Sequence, residues 1–301
     1  MQLRALLAMA LGCACTALTT PAAPTKRQVL GPWWSRAVVL NGPPYVAAAA
    51  RPPVPAEGAP SIDVSLRSAY QSIQGEFITE AGVDYAAARA SQSYRDFTQL
   101  TAQLVDVDVA ALSVAERTAF FLNLYNALLI HAITSLGPPA SLTQRLKLYA
   151  TAAYQIGPNV LSLNDIENGI LRGNRRAAAP FSKPPFAADD AARLALCLPC
   201  DARVHFALNC GAKSCPPIRV YDPKDLDAQL DTATRSFVDA ETALTGKGAL
   251  ECSKLFDWYA VDFEPTPRRF IDTYLPDGDE RAGAEAGKLR YAAYDWGLNS
   301  S

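Results

Sequence analysis

The fold is decided by one stretch, Ser113-Val-Ala-Glu-Arg-Thr-Ala-Phe-Phe-Leu-Asn-Leu-Tyr-Asn-Ala-Leu-Leu-Ile-His-Ala-Ile-Thr-Ser-Leu-Gly137. Ser113 and Glu116 have the spacing of a capping box, in which the serine side chain accepts from the amide three residues on and the glutamate side chain reaches back. Gly137 and the two prolines after it end the helix. Because the helix between these signals is apolar nearly all round, we expect it to be buried on most faces.

Shorter elements are predicted on both sides of this central helix. Periodicity predicts helices at residues 62–73, 94–105 and 222–240. Asn164 is predicted to cap a further helix, whose charges (Asp165, Glu167 and Arg172) match its dipole. Extended segments are predicted at residues 154–156, 161–163, 193–198 and 204–208, and a strand running into an aromatic helix within 250–259. There is no βαβ rhythm, so we predict an α+β fold: a single compact domain with a long buried central helix and a small, mostly antiparallel sheet.

The first 60 residues differ in composition from the rest of the chain. They contain five basic residues, one acidic residue and nine of the 22 prolines, a composition typical of targeting and linker segments. Residues 1–20 have a positive start and an apolar run, which predicts a secretory signal peptide or the first part of a longer presequence. Residues 21–60 are predicted to be a Pro/Ala-rich linker or transit segment, and residues 61–301 a single globular domain.

Charge and hydropathy exclude two classes of partner. The net charge of −2 comes without the clustered Lys and Arg that nucleic-acid binding needs. The signal is too short to span a bilayer and the apolar run 120–136 is interrupted by polar residues, so we expect no transmembrane span in the mature protein. The signal predicts export to the secretory pathway, the extracellular space or the periplasm; a two-part presequence would instead direct the chain to a plastid.

Four strings carry a resemblance to a known family: Ala119-Phe-Phe-Leu-Asn-Leu-Tyr-Asn-Ala127 with His131, Leu161-Ser-Leu-Asn-Asp-Ile-Glu-Asn-Gly-Ile-Leu-Arg172, Val204-His-Phe-Ala-Leu-Asn-Cys-Gly-Ala-Lys-Ser-Cys-Pro-Pro217 and Tyr294-Asp-Trp-Gly-Leu-Asn299. In their order and residue pattern they resemble the family called domain of unknown function 547, over roughly residues 90–299. The resemblance implies no settled activity. Members usually have histidine where this chain has Asn168, which weakens any mechanism that needs an imidazole there.

The histidines limit the chemistry that the chain can carry. There are two, His131 and His205. On a strand, His205 would share a face with residues 207 and 209, and the next loop could return Cys210 or Cys215 to the ring. A Cys–His pair is the minimal set for thiol catalysis, with a third group to orient the imidazole. Candidates for that group are Asn126 and Asp165, then Glu167 and Asp295. Amides of residues 211–214 could form an oxyanion hole.

The cysteines also have other interpretations. In an oxidising compartment, Cys210 and Cys215 could form a short disulfide that pins the loop. Together with both histidines they would make a zinc ligand set, but their spacing does not match a compact zinc motif. Cys197-Leu-Pro-Cys200 is a C-x-x-C, and its context fits a local disulfide or two ordinary thiols better than a redox dithiol.

Polar side chains on the central helix predict a pocket. Asn123 and Asn126 lie three residues apart on one side, and His131 follows them. Such groups commonly brace neighbouring loops; the functional alternative is a pocket lining, because three polar groups on an apolar helix are costly to bury. Tyr125 and Trp296 complete the predicted binding residues.

Two functions follow from these patterns. The first is a papain-like or transglutaminase-like cysteine-dependent hydrolase or acyl-transfer enzyme, acting on a small-molecule or peptide substrate. The second is a non-catalytic binding module with a disulfide-locked loop and a braced Asn/His polar core. The sequence has no glycine-rich phosphate loop, no G-x-S-x-G and no H-E-x-x-H, so we expect no cofactor and no metal. The state of Cys210 and Cys215 discriminates between the two functions.

Overall fold

The computed structural model describes residues 37–43, 61–178, 182–246, 248–283 and 289–301. Its helices are α1 (Ile62–Phe77), α2 (Tyr85–Ala90), α3 (Gln92–Thr101), α4 (Val114–Leu136), α5 (Leu142–Thr151), α6 (Ala191–Leu194), α7 (Leu226–Ala240), α8 (Leu255–Trp258) and α9 (Pro267–Tyr274). Its strands are β1 (Val38–Val39), β2 (Ile78–Thr79), β3 (Gly82–Val83), β4 (Ala152–Ile156), β5 (Asn159–Ser162), β6 (Thr242–Leu244), β7 (Leu250–Cys252) and β8 (Leu289–Tyr291). Helices dominate and the strands are short, so the predicted α+β class is confirmed.

Helix α4 is the central element that the sequence predicts. The Ser113 hydroxyl accepts from the Glu116 amide at 3.3 Å and Glu116 Oε2 accepts from the Ser113 amide at 2.9 Å, so the capping box is formed. Residues 119–134 are all buried. By length and composition the helix could cross a membrane, but 89% of its apolar window is buried inside the domain, which is typical of a core helix.

The strands form small sheets whose pairs are mostly antiparallel. β1 pairs in parallel with β4, and β4 pairs antiparallel with β5. β2 and β3 form an antiparallel hairpin. β6 pairs antiparallel with β7, and β7 pairs in parallel with β8. The sequence predicted one small sheet; the strands instead divide among three sheets in the described part of the chain.

Two hydrophobic clusters fill the interior. The larger surrounds α4 and includes side chains of α1, α3, β4 and β5. The smaller joins α7, β7, α8 and α9, and Phe206 lies within it. The 3-10 helix Ala202–Phe206 connects them, because its Val204 belongs to the larger cluster. The candidate site residues lie near this junction.

Strand β1 belongs to the segment whose composition predicts a linker. Its neighbour Leu40 is fully buried in the larger cluster, and the Leu40 amide donates to the Ala153 carbonyl at 2.9 Å. Asn41 Nδ2 donates to the carbonyls of Thr101 and Gln155 at 3.0 and 2.8 Å. Residues 37–43 therefore pack on the domain along the edge of β4. The predicted signal peptide and the rest of the predicted linker lie outside the described residues.

Two predicted strands are wrong. Residues 193–198 contain the end of α6 and a turn, and residues 204–208 lie largely in the 3-10 helix Ala202–Phe206. Aspartates cap both helices: Asp190 accepts from the Arg193 amide at 3.1 Å, and Asp201 from the Arg203 amide at 2.9 Å. Short apolar runs do not distinguish helix from strand by their period.

The helix after Asn164 is a π-helix, Asp165–Leu171, and Asn164 does not cap it. The side chain of Asp165 makes the hydrogen bonds at this end, accepting from the Ser162 amide and hydroxyl at 2.9 and 2.8 Å. The Arg172 amide donates to the Glu167 carbonyl, five residues back. Short π-helical turns are rare and occur frequently at functional sites.

Candidate functional site

The loop that carries both predicted nucleophiles, residues 209–217, is closed by a disulfide between Cys210 and Cys215. We call it the disulfide loop. Cys215 Sγ also accepts a hydrogen bond from the Cys210 amide at 3.0 Å. The Tyr294 hydroxyl lies 3.4 Å from Cys210 Sγ and 3.2 Å from Cys215 Sγ. Tyr294 therefore ties the closed loop to the C-terminal segment.

Two asparagines hold the disulfide loop from inside the domain. Asn126 Nδ2 donates to the Ala207 carbonyl and Asn126 Oδ1 accepts from the Asn209 amide, both at 2.9 Å. Asn209 Nδ2 donates to the Pro216 carbonyl at 2.7 Å, and Asn209 Oδ1 accepts from the Gly211 amide at 2.8 Å. Asn126 thus braces the loop backbone, which is the commoner of the two roles considered for it.

Helix α5 holds the same loop from its other side. Arg145 Nη1 and the Tyr149 hydroxyl donate to the Cys210 carbonyl at 2.9 and 2.6 Å. Arg145 Nη2 donates to the Trp296 carbonyl at 2.9 Å. One buried arginine therefore fixes the disulfide loop and the C-terminal segment relative to each other.

Most of the loop amides predicted to form an oxyanion hole are already used. Three of them donate within the protein: Gly211 to Asn209 Oδ1, Lys213 to the Gly297 carbonyl and Ser214 to the Asp295 carbonyl. An oxyanion hole needs donors aimed at the reacting oxygen. These donors instead hold the loop against the C-terminal segment.

His205 lies in a buried charge cluster. Its Nε2 is 2.8 Å from Asp262 Oδ2, and its ring stacks on Tyr259 with 4.0 Å between centroids. Arg172 Nε donates to the same carboxylate oxygen at 2.5 Å, and Arg175 Nη1 donates to the other at 2.6 Å. The side chains of His205 and Arg172 are each 1% exposed, and that of Asp262 is 0% exposed. We call these four charged or ionisable residues the Asp262 cluster.

The predicted Cys–His pair is not assembled. Among the described residues, no hydrogen bond joins His205 to Cys210 or Cys215. Burial lowers the pKa of His205; its hydrogen bond to Asp262 opposes this, and the charge of Arg172 adds to the lowering. Burial would raise the pKa of Asp262, but hydrogen bonds from His205 and Arg172 outweigh it and hold that pKa below its usual range. A neutral imidazole therefore donates to a carboxylate.

Next to the Asp262 cluster, the π-helix presents Glu167 to two tyrosines. The Tyr125 hydroxyl donates to Glu167 Oε2 at 3.0 Å and the Tyr259 hydroxyl donates to Oε1 at 2.6 Å. Burial, and then the charge of Glu167, raises the pKa of both tyrosines, so both hydroxyls stay protonated. Glu167 is partly exposed. We call Glu167, Tyr125 and Tyr259 the Glu167 cluster.

Three aromatic side chains form a face beside the disulfide loop. Ring centroids are 4.8 Å apart for Trp258 and Tyr294, 4.7 Å for Tyr294 and Trp296, and 5.4 Å for the two tryptophans. All three residues are partly exposed. Burial raises the pKa of Tyr294, and Arg145 and Glu167 are among the charges that act on it. The aromatic face therefore borders the disulfide loop through Tyr294, and its Trp258 precedes Tyr259 of the Glu167 cluster in the chain.

Three other predicted residues have separate partners. Asn123 makes a two-way hydrogen bond with the Tyr221 backbone: it donates to the carbonyl and accepts from the amide, both at 2.8 Å. His131 Nδ1 lies 2.8 Å from the Tyr154 hydroxyl in an aromatic surround. Asp165 accepts from Ser162, as described above. Asn123 and His131 do not share hydrogen-bond partners, and Asp165 is not hydrogen-bonded to His205.

The remaining cysteines of the described residues, Cys197, Cys200 and Cys252, are free. Burial raises the pKa of Cys197, and raises those of Cys200 and Cys252 to about 11 and about 12. Redox dithiols have a lowered pKa, so Cys197 and Cys200 are ordinary thiols here. Within the described ranges, no group of three or more His, Cys, Asp or Glu side chains could hold a metal ion.

The fold and site define an α+β protein with a disulfide-closed loop and a buried charge cluster. A family model described as "Protein of unknown function, DUF547" matches residues 109–238. The matched region contains α4, the π-helix, both histidines and the disulfide loop. This stretch contains the first three of the four strings, so the resemblance to the family is confirmed over residues 109–238. No curated protein and no solved structure matches the chain.

Sequence reasoning missed Asp262 and underestimated Arg172. Helix-dipole matching seemed sufficient for Arg172, yet its side chain is fully buried on Asp262. The available signals were the apolar residues before it, Ile170-Leu171, and the family string that contains it. They indicated that Arg172 could be buried, and a buried guanidinium requires a counter-ion. Nothing in the sequence indicated that the counter-ion lies 90 residues later.

Asn168, the position at which the resemblance led us to expect histidine, is buried beside Arg172. Its Oδ1 accepts from Arg172 Nη1 at 2.5 Å, and its Nδ2 donates to Asn164 Oδ1 at 3.1 Å. Asn168→Leu leaves a buried guanidinium short of one acceptor and is expected to lower the free energy of unfolding by about 1–3 kcal/mol. Asn168→His retains an acceptor nitrogen and is expected to cost less. Urea denaturation measures both variants; equal losses would contradict this role of Asn168.

Proposed function

We propose that this protein is a non-catalytic binding module whose ligand, a small molecule or a peptide, packs on the aromatic face beside the disulfide loop. The observation that carries the proposal is the Cys210–Cys215 disulfide. It removes both candidate nucleophiles in one bond. The loop that contains them is then held on several sides, by Asn126, Arg145 and the C-terminal segment.

The chemistry of the surface indicates the kind of ligand. Trp258 and Trp296 offer flat, partly exposed rings, and aromatic side chains with a polar neighbour are enriched at recognition surfaces. Glu167 adds a carboxylate held by two tyrosine hydroxyls. A rigid surface of this kind loses little conformational entropy on binding. We therefore expect a ligand with an apolar or ring-shaped part and a hydrogen-bond donor.

Tryptophan fluorescence tests the proposal. The chain has four tryptophans, and Trp258 and Trp296 lie on the aromatic face, so ligands from a panel of short peptides and ring-containing small molecules should change the emission. Trp296→Ala should lower the affinity of any such ligand about thirtyfold or more, because a central aromatic anchor contributes about 2 kcal/mol or more. Tyr291→Ala, a partly buried aromatic of β8, is the matched control and should leave the affinity unchanged. Ligand affinities that Trp296→Ala leaves unchanged would contradict the proposal.

A second candidate function, the cysteine-dependent hydrolase or acyl-transfer enzyme, applies to the reduced protein. The surroundings of Cys215 Sγ favour this function. The Cys210 amide and the Tyr294 hydroxyl both lie within hydrogen-bond reach of this sulfur. Two such donors would stabilise a thiolate. His205 is bonded to Asp262 through Nε2, and among the described residues no hydrogen bond joins its ring to Cys215, so we rank this function second.

We further propose that the mature protein works in an oxidising compartment: the secretory pathway, the extracellular space or the periplasm, or a plastid compartment if the presequence has two parts. The support is the disulfide, because such bonds persist where thiols are not kept reduced. We propose neither nucleic acid nor a membrane span as a partner of this domain.

A further inference from the structure

A second site is indicated by a cleft between α1, α4 and the loop after Ile218. Tyr70 of α1 and Tyr221 of the loop line it, and both residues are almost fully buried, at 1% and 0% exposure. Neither hydroxyl has a hydrogen-bond partner among the described residues. Buried polar side-chain atoms nearly always have a partner, and an unpaired one costs about 1–3 kcal/mol. Two such unpaired hydroxyls, both on residues that line one cleft, point to a ligand.

The backbone around the cleft is firmly placed. Asn123 of α4 makes its two-way hydrogen bond with the Tyr221 backbone, so the position of the Tyr221 ring is set by the central helix. At the rim, Arg67 of α1 pairs with Asp222 at 3.1 Å. The two tyrosines are therefore carried by fixed elements of the domain, Tyr70 by α1 and Tyr221 by a loop whose backbone α4 holds.

The charges and apolar groups of the cleft select its ligand. Burial, and then the neighbouring Tyr221, raises the pKa of Tyr70, and burial also raises the pKa of Tyr221, so both are neutral hydroxyl donors. Asp63 and Glu116 lie among the lining residues and disfavour an anion. Phe97, Phe120 and Leu124 supply apolar walls.

The size of the cleft limits how much of a ligand can enter. Its cavity volume is about 30 Å³. A volume of that order holds one or two water molecules. A small polar head can therefore enter beside the two tyrosines while an apolar body occupies the mouth.

We propose that this cleft binds a small neutral molecule that presents one carbonyl or hydroxyl oxygen to Tyr70 and Tyr221 and packs a compact apolar body against Phe97, Phe120 and Leu124. The site is distinct from the aromatic face, because its side chains come from α1, α3, α4 and the loop at Tyr221. The proposal does not depend on the proposed function.

Nuclear magnetic resonance titration of the full chain with cyclohexanone tests this site. Methyl signals of Leu66, Leu124 and Ala127, which line the cleft, should shift in a saturable way. Cyclohexanecarboxylate, the matched anion, and cyclohexylammonium, the matched cation, should bind more weakly. Tyr70→Phe and Tyr221→Phe keep both rings and should each weaken cyclohexanone binding roughly two- to tenfold, the effect of one lost hydrogen bond. Tyr291→Phe is the control and should have no effect.

Three outcomes would overturn the proposal. One is the absence of saturable shifts at the cleft methyls with cyclohexanone. Another is binding that neither tyrosine variant weakens, which would mean that the cleft is only an apolar cavity. The third is a crystal structure with cyclohexanone present in which ordered waters occupy both hydroxyls and are not displaced. Binding that is lost in either phenylalanine variant, with the Tyr291→Phe control unchanged, supports it.

Discussion

Replacement of Asp262 by alanine is expected to lower the free energy of unfolding by about 3–5 kcal/mol, because it leaves a buried charge without its partner. Arg172 is the charge concerned: its side chain is 1% exposed and its Nε donates to Asp262 Oδ2. His205 loses its hydrogen bond in the same substitution. Urea denaturation of the two proteins at neutral pH measures the difference.

A surface ion pair provides the matched control for this loss. Lys254 and Asp257 form a pair at 2.7 Å whose side chains are 25% and 40% exposed. Asp257→Ala should change the free energy of unfolding by less than about 1 kcal/mol, since exposed pairs contribute little. A loss for Asp262→Ala no larger than that of the control would contradict the role assigned to the Asp262 cluster.

Mild acid is expected to destabilise the protein through its buried histidines. Burial lowers the pKa of His131 to about 3, while an unfolded histidine has a pKa near 6.5. Between these values the unfolded state binds one more proton than the folded state, so the free energy of unfolding falls as the pH falls. The loss is about 1.4 kcal/mol per pH unit, or about 2 kcal/mol from pH 6.5 to pH 5. His205, whose pKa is also lowered by burial, adds to it in the same direction.

Denaturant titrations at a series of pH values between 6.5 and 5 measure this slope. His131→Gln keeps a polar partner for the Tyr154 hydroxyl but removes the titrating group, and it should reduce the slope by about 1.4 kcal/mol per pH unit. The window lies above the range where most carboxylates titrate, so the histidines dominate it. A variant that keeps the wild-type slope would show that His131 is not held neutral by burial.

The sequence predicted the elements whose signals are local. The capping box at Ser113 and the glycine at 137 define α4 without reference to the rest of the chain, and periodicity placed α1, α3 and α7 within a few residues. The errors lie where tertiary contacts decide. Residues 204–208 are apolar because they pass between two hydrophobic clusters, and a buried 3-10 helix and a buried strand have the same composition there.

The site was predicted in its parts and not in its arrangement. Cys210, Cys215, His205 and Asn126 all lie in the regions predicted to matter, and the disulfide was one of the alternatives considered. The pairing of His205 depends on Asp262, which lies 57 residues away in sequence and follows an aromatic helix that showed only packing signals. The sequence analysis placed His205 on a strand, and the ring direction expected on a strand differs from the one that the 3-10 helix gives.

Mapping the thiols of the native, non-reduced protein tests the central claim that the loop is disulfide-locked. Trypsin cleaves after Arg203, Lys213 and Arg219, so Cys210 and Cys215 fall in separate peptides, 204–213 and 214–219, that only the disulfide joins. After iodoacetamide labelling at neutral pH, we expect mass spectrometry to find these two peptides linked and unlabelled, and labelling of Cys197 and Cys200 instead. Fast labelling of Cys210 or Cys215 before reduction, slowed by His205→Ala, would contradict the binding module and make the thiol enzyme the working account.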